Sequence, residues 1–347
     1  MLNISDLKEK IIELGFPAYR AEQIYRSVCM EGITDYGRIT TLPANIKAIL
    51  SVKIPIYSIF PEHITSSPDG SAEKILFRLR DGSRIETVLM KFNDRRSSVC
   101  VSSQAGCRLG CKFCSTGKSG FSRNLNYEEI FDQVLFCQHR LHKAGKRINN
   151  VVFMGMGEPF MNYDNVIKSI RAINDKKGLN IGARAITVST SGICEGIDRL
   201  AEEKIQVNLA VSLHAPNQAL REKIMPIARK YDIKNLISSV RKYIQKTNRR
   251  VSYEYIMLKD INDHEKEARE LIKLLKGQLC HINLIPYNAT GIKGIQGSKK
   301  INIIKFRDII KSACIPVTVR ISLGQGIRAA CGQLADKTSD RRPKHHK

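Results

Sequence analysis

From residue 99 onward, short apolar runs alternate with amphipathic helical stretches, and this alternation confines the chain to a narrow set of folds. The runs at 99–103, 151–156, 185–190, 207–213, 251–258, 282–286 and 317–321 have strand length and are rich in Val and Ile. Between them, 127–141, 165–173, 236–244 and 265–275 space their apolar residues as helices do. Strands alternating with helices build a parallel sheet through right-handed crossovers, so an α/β fold is expected, a (β/α) barrel or a partial one. In such folds the functional side chains gather at the carboxyl ends of the strands.

Residues 1–95 read differently. Leu7, Ile11, Ile12 and Leu14 form an apolar stripe, Pro17 interrupts it, and 21–25 restart a helix. Strand-like runs at 74–79 and 84–89 flank Asp81-Gly82-Ser83, a hairpin signal. The expected organisation is a small N-terminal helical-plus-hairpin accessory domain (1–95), a barrel domain (96–335) and a basic, disordered tail (336–347). The chain has no apolar run long enough to span a membrane, and acids occupy its first residues where a secretory signal needs bases. A cytoplasmic protein with no membrane partner is expected.

The formal net charge is +24, of which residues 1–97 hold +2 and residues 98–347 hold +22. A half this basic points to a polyanion, and to nucleic acid before a membrane surface. Arg95, Arg96, Arg108, Lys112, Lys118 and Arg123 are the candidate phosphate contacts.

Those cations surround the densest cysteine cluster. Of ten cysteines, Cys100, Cys107, Cys111 and Cys114 lie within fifteen residues. A long chain without a secretory signal has little need of disulfide staples, so metal or redox chemistry is the better reading of the cluster. Cys107-Arg108-Leu109-Gly110-Cys111-Lys112-Phe113-Cys114 is C-x3-C-x2-C, three thiolates on one loop after the first barrel strand. Structural zinc takes four ligands, and no fourth Cys or His stands at finger spacing. Three thiolates suit a four-iron cluster with one iron left open; a zinc site completed from elsewhere is the competing reading. Two lookalikes fail: Gly117-Lys118-Ser119 lacks the upstream glycine of a P-loop, and Gly155-Met156-Gly157 has Phe160 where a dinucleotide fingerprint needs its third glycine. The Gly155-Met156-Gly157-Glu158-Pro159 turn does offer close backbone approach and a carboxylate, a plausible clamp for a cationic amino group.

Together with Ser212-Leu213-His214-Ala215-Pro216 and Ala330-Cys331-Gly332-Gln333-Leu334, these motifs resemble the radical S-adenosylmethionine RNA methyltransferases. The branch they look most like methylates carbon 2 of adenine in 23S rRNA and tRNA. The resemblance runs from about Asp6 to Leu334 and implies a partial (β/α) barrel of the radical-SAM type. It implies one [4Fe-4S] cluster on Cys107, Cys111 and Cys114, and two S-adenosylmethionine molecules per turnover. It places Gly157, Glu158, Ser189, Ser212, Leu213, His214 and Asn288 against S-adenosylmethionine. Cys331 would be methylated first and then bridge to RNA through the methyl carbon. Cys100 would resolve that adduct by thiol–disulfide chemistry, with Glu86 as proton acceptor. RNA and a reductant such as flavodoxin or ferredoxin are the implied partners, and a monomer is expected. Three rivals stand beside this reading: a sister carbon-8 methyltransferase that confers antibiotic resistance, a radical activase of another protein, and a non-enzymatic zinc and RNA-binding module. Pro159, Ser191-Gly192 and Pro286 look closer to the carbon-2 branch.

Overall fold

The computed structural model describes residues 1–320 and 323–334. Three helices open the chain, α1 (Ile4–Glu13), α2 (Tyr19–Cys29) and α3 (Ala44–Lys53). The Asn3 side chain caps α1, accepting from the backbone N–H groups of Ser5 and Asp6. β1 (Phe60–Ser66), β2 (Ala72–Arg78) and β3 (Arg84–Lys91) follow as an antiparallel meander. Next come β4 (Ser97–Cys100), a two-stranded ribbon of β5 (Gln104–Gly106) and β6 (Phe121–Asn124), and helix α4 (Tyr127–His142).

The regular alternation then sets in: β7 (Asn150–Phe153), α5 (Tyr163–Asn174), β8 (Ile186–Thr190), α6 (Cys194–Glu202), β9 (Asn208–Ser212), α7 (Gln218–Ile224) and α8 (Ile233–Thr247). It continues through β10 (Val251–Met257), α9 (Glu265–Leu275), β11 (Cys280–Pro286), α10 (Lys300–Ser312) and β12 (Val317–Val319). All strands except β5 and β6 form one ten-stranded sheet in the order β1-β2-β3-β4-β7-β8-β9-β10-β11-β12, parallel from β4 onward. This is the α/β partial barrel expected. Helices cover the sheet, which is why β10 is buried along nearly its whole length and reads as a continuous run, Tyr253, Tyr255, Ile256 and Met257 among it.

The division expected at residue 95 falls in the turn between β3 and β4, and these strands are hydrogen-bonded in register, Leu89 opposite Val99. The meander therefore extends the barrel sheet, and one apolar core runs from Leu7 through Phe77 and Val99 to Ile310. The strand expected over 99–103 stops at Cys100 instead. There the chain leaves the sheet, because the N–H groups of Ser103 and Gln104 both turn to the Met156 carbonyl (2.9 and 3.2 Å). The basic tail, 336–347, and the last residue of the 317–321 strand lie outside the described residues. No helix among the described residues is long and apolar enough to cross a membrane.

Candidate active site

The cysteine loop is folded by the ribbon beneath it. The Cys107 N–H donates to the Gly120 carbonyl at 2.8 Å, closing the loop between β5 and β6. Gly106 sits at φ +81°, where a Cβ would fall 2.0 Å from that same carbonyl oxygen, so only glycine fits. On the far side the Lys112 N–H donates to the Ile224 carbonyl (2.9 Å), pinning the loop to the end of α7.

Cys107, Cys111 and Cys114 face a cleft at the carboxyl ends of the parallel strands, where Gly157, Glu158, Ser189, Ser212, His214 and Cys331 join them. Burial pushes the Cys107 thiol up to about 11 and the Cys111 thiol well above its ordinary value, with neighbouring cysteines adding to both. Thiols in this setting ionise when a metal binds them. Three thiolates on one loop suit a four-iron cluster that keeps one iron open, whereas a closed structural zinc site takes four protein ligands.

A second feature favours an anionic occupant. Arg221 is fully buried, and no carboxylate pairs with it among the described residues. It donates to the carbonyls of Ser191 (2.6 Å) and Tyr231 (3.3 Å), while its Nε has no partner. Burial lowers its pKa to about 10, opposed by the charges of Cys111 and Cys194. A buried cation of this kind needs a counter-charge, and a thiolate-ligated cluster supplies one.

The wall opposite the cysteines is built from strand ends. Gly157 lies at φ +101° and packs so tightly on Gln104 that a Cβ would meet the Gln104 Cβ at 2.5 Å. Gln104 Oε1 accepts from the Glu158 N–H at 2.8 Å. The Glu158 carboxylate is buried, which raises its pKa, and it accepts from the N–H groups of Ser191 (2.7 Å) and Phe160 (3.1 Å). The Ser189 hydroxyl donates to the Phe153 carbonyl (2.6 Å), and Leu213 lies behind the wall, fully buried.

His214 faces the cleft edge-on to Phe113, which lies between two of the cluster cysteines. Its Nδ1 accepts from the Ile256 N–H (3.0 Å), so the neutral ring carries its proton on Nε2. Burial, seconded by the Arg221 charge, depresses its pKa to about 3. Because the unfolded chain takes up this proton near pH 6.5, His214 costs nothing above that pH. Its contribution is lost as pH falls from about 6.5 toward 3, by about 1.4 kcal/mol per unit. Urea unfolding at about pH 7.5 and 5.5 should show that loss, and His214→Gln should make it shallower.

Asn288 stands elsewhere than the cleft wall. Its Nδ2 donates to the Cys331 carbonyl (3.2 Å), and its Oδ1 accepts from Gln325 (2.7 Å), so both ends of the amide hold the C-terminal loop. Cys100, the last residue of β4, and Cys331 line one small cavity beside the cleft, and both are free thiols. Burial, then the Cys331 charge, pushes the Cys100 thiol up to about 12. Cys331 keeps solvent exposure as a residue, yet desolvation still raises its thiol, against the opposing Arg320 charge.

Arg320 lines both cavities and pairs with buried Glu254 (Nη1 to Oε2, 3.4 Å). Both residues carry a sequence signal, a charge inside an apolar strand: Glu254 in the run 251–258 and Arg320 in the run 317–321. Glu86 is buried on β3, 3.0 Å from Lys74 Nζ, and its N–H lies 3.4 Å from the Met156 sulfur behind the glycine turn. Of the cations near the mouth, Arg108 lies over the Phe121 ring (3.9 Å). Arg123 is committed elsewhere: it grips Asp81 (2.6 Å) and both oxygens of Glu129 (2.8 Å each), a strut tying the hairpin turn to α4 and not a phosphate contact.

The radical SAM superfamily model matches residues 101–272. A chain from Dictyoglomus thermophilum named as an RlmN dual-specificity RNA methyltransferase is 46% identical, over 96% of this chain and 94% of its own. One from Chloroflexus aurantiacus, named in the same way, is 43% identical over 97% and 92%. The crystal structure of a radical SAM methyltransferase from Sphaerobacter thermophilus superposes with a TM-score of 0.93 at 44% identity, covering 96% of this chain and 97% of that one. The superfamily's cofactors, a [4Fe-4S] cluster and S-adenosylmethionine, are this chain's cofactors. With the three-cysteine loop, the glycine–glutamate turn and the two thiols of one cavity in place, the chain belongs to the RlmN family of radical S-adenosylmethionine RNA methyltransferases.

Proposed function

We propose that the chain methylates carbon 2 of an adenine in 23S rRNA and in tRNA, with Cys331 as methyl carrier and Cys100 as resolving thiol. One observation carries this reading: two free cysteines from opposite ends of the barrel, 100 and 331, share a cavity that adjoins the three-cysteine cleft. Carbon 2 of adenine is electron-poor, so polar methylation fails there, and the bound cofactors supply both the methyl group and the radical chemistry.

The chain's own residues do the rest. Cys107, Cys111 and Cys114 hold the cluster, Gly157, Glu158, Ser189, Ser212, Leu213 and His214 shape the S-adenosylmethionine wall, and Asn288 acts on it through the Cys331 loop it holds. Cys331 presents its methylated sulfur to the base and becomes joined to it through the methyl carbon. Glu86 accepts the proton that leaves carbon 2, and the odd electron left by radical addition returns to the redox chain that serves the cluster. Cys100 then attacks the Cys331 sulfur: the S–S bond forms, the S–C bond breaks, and the electron pair left on carbon takes up the proton that the Cys100 thiol gives up, completing the new methyl group. Cellular thiols reduce the disulfide, and an electron donor of the flavodoxin or ferredoxin class serves the cluster. Arg108, Lys112 and Lys118, beside the mouth, steer the RNA backbone.

Nucleoside mass spectrometry with deuterated-methyl S-adenosylmethionine tests the assignment on unmodified rRNA and tRNA. Labelled 2-methyladenosine is the expected product; 8-methyladenosine would move the chain to the sister activity, and cofactor cleavage without labelled adenosine would remove RNA as substrate. Cys100→Ala should accumulate protein covalently bound to RNA, visible as a gel band that nuclease collapses. An absence of that band would eliminate the resolving role.

A further inference from the structure

The segment that carries Cys331 has little regular structure to place it. Gly324, Arg328 and Gly332 all stand at positive φ, and a single short turn, Gln325–Ile327, interrupts the loop. Its position is set by hydrogen bonds to two neighbours. On one side Asn288 Nδ2 donates to the Cys331 carbonyl and Gln333 Nε2 to the Ala289 carbonyl (3.0 Å). On the other side lies the cluster loop: the Ser115 N–H donates to the Gly332 carbonyl (2.7 Å), and the Thr116 hydroxyl donates to the Leu334 carbonyl (2.6 Å).

Ser115 and Thr116 directly follow Cys114. Thr116 is 3% exposed and Leu334 4% exposed, so this hydroxyl–carbonyl bond is dry, and no water replaces it when it breaks. The two bonds fall just after Cys331, one and three residues beyond it.

We propose that Thr116 is a positioning residue that fastens the Cys331 loop to the cluster loop, so that Cys331 takes its working place only once the Cys107–Cys114 loop is ordered. The inference rests on the reading of Cys331 as methyl carrier, but its first test does not depend on RNA. A protein without iron would then present a loosened Cys331 segment, and methylation of that cysteine would wait for cluster assembly.

Hydrogen exchange of peptides covering 325–334, on the iron-reconstituted full chain, reads the docking. Thr116→Val keeps the shape and removes the donor, and should speed exchange there about tenfold with iron content and visible absorbance unchanged. Thr116→Ser restores the donor and should restore protection. In turnover, the Val variant should lower kcat and leave KM for RNA as it was. Wild-type exchange rates in the Val variant would overturn the proposal. Chelating the iron from wild-type protein gives a second reading that needs no variant: exchange should rise together in 107–116 and 325–334, and continued protection of 325–334 would overturn the coupling. Full methylation by Cys331→Ala would instead defeat the carrier reading while leaving the exchange result standing.

Discussion

Cys331→Ala abolishes RNA methylation while the cluster stays in place: that is the largest effect the site geometry predicts. The residue is exposed, so truncating its side chain opens no core cavity. The hydrogen bonds that hold its loop run through backbone carbonyls, those of Cys331, Gly332 and Leu334, and alanine keeps all three. The three cluster cysteines lie on a loop closed by backbone bonds to Gly120 and Ile224, and neither bond involves the Cys331 thiol. The loss should therefore be chemical. Removing a covalent nucleophile from a working set costs on the order of 10⁴- to 10⁶-fold in rate. Labelled methyl transfer to RNA should drop below detection, and no methylcysteine should appear in the protein digest, while iron per chain and the visible absorbance match wild type. Residual transfer within tenfold of wild type would show that the methyl group reaches RNA without Cys331.

The parts of this site legible in the sequence are those that depend on neighbours a few residues away. The cysteine spacing, the Gly157–Glu158 turn and the apolar strands 151–156 and 207–213 are local patterns, and the structure places them within a few residues of where spacing put them. The ribbon β5–β6 escaped because strands of three and four residues are too short to show a period. The α10 helix escaped because Ile301, Ile304 and Ile309 spread apolar residues beyond its buried row of Ile303, Phe306 and Ile310.

Pairing over long separations hid the rest. Arg320 meets Glu254 across 66 residues, and Arg123 reaches Asp81 across 42. Nothing in either segment alone distinguishes a buried strut from a solvated charge, so a cation near the mouth reads as a phosphate contact until its carboxylates are seen. The accessory domain shows the same limit: its hairpin is locally legible, but the register that joins β3 to β4 and merges it with the barrel sheet is a tertiary fact.

Gly157→Ala should disable the cofactor wall while leaving every thiol and titratable group intact. At φ +101° an L side chain is strained before it meets anything, at a cost of about 1–3 kcal/mol. The new methyl would then lie 2.5 Å from the Gln104 Cβ, 2.7 Å from its Cγ and 2.8 Å from its backbone nitrogen. The last of these is main chain, itself held to the Met156 carbonyl, so it has nowhere to go. Relief must come from the turn, and Glu158 is the next residue in it. Its N–H leaves Gln104 Oε1, and its carboxylate shifts off the Ser191 and Phe160 N–H groups that hold it at the cleft. Binding of S-adenosylmethionine to the reconstituted protein, measured by calorimetry, should weaken by at least about tenfold, which is about 1.4 kcal/mol. The iron content should hold, because the cysteine loop is anchored through Gly120 and Ile224. Adding Gln104→Ala to the variant should not rescue binding, since the Gln104 Cβ and nitrogen remain and the strained φ is untouched. Rescue by that second change would mean that the clash is confined to a side chain and that the turn's backbone, here taken as the rigid element of the cofactor wall, yields without cost.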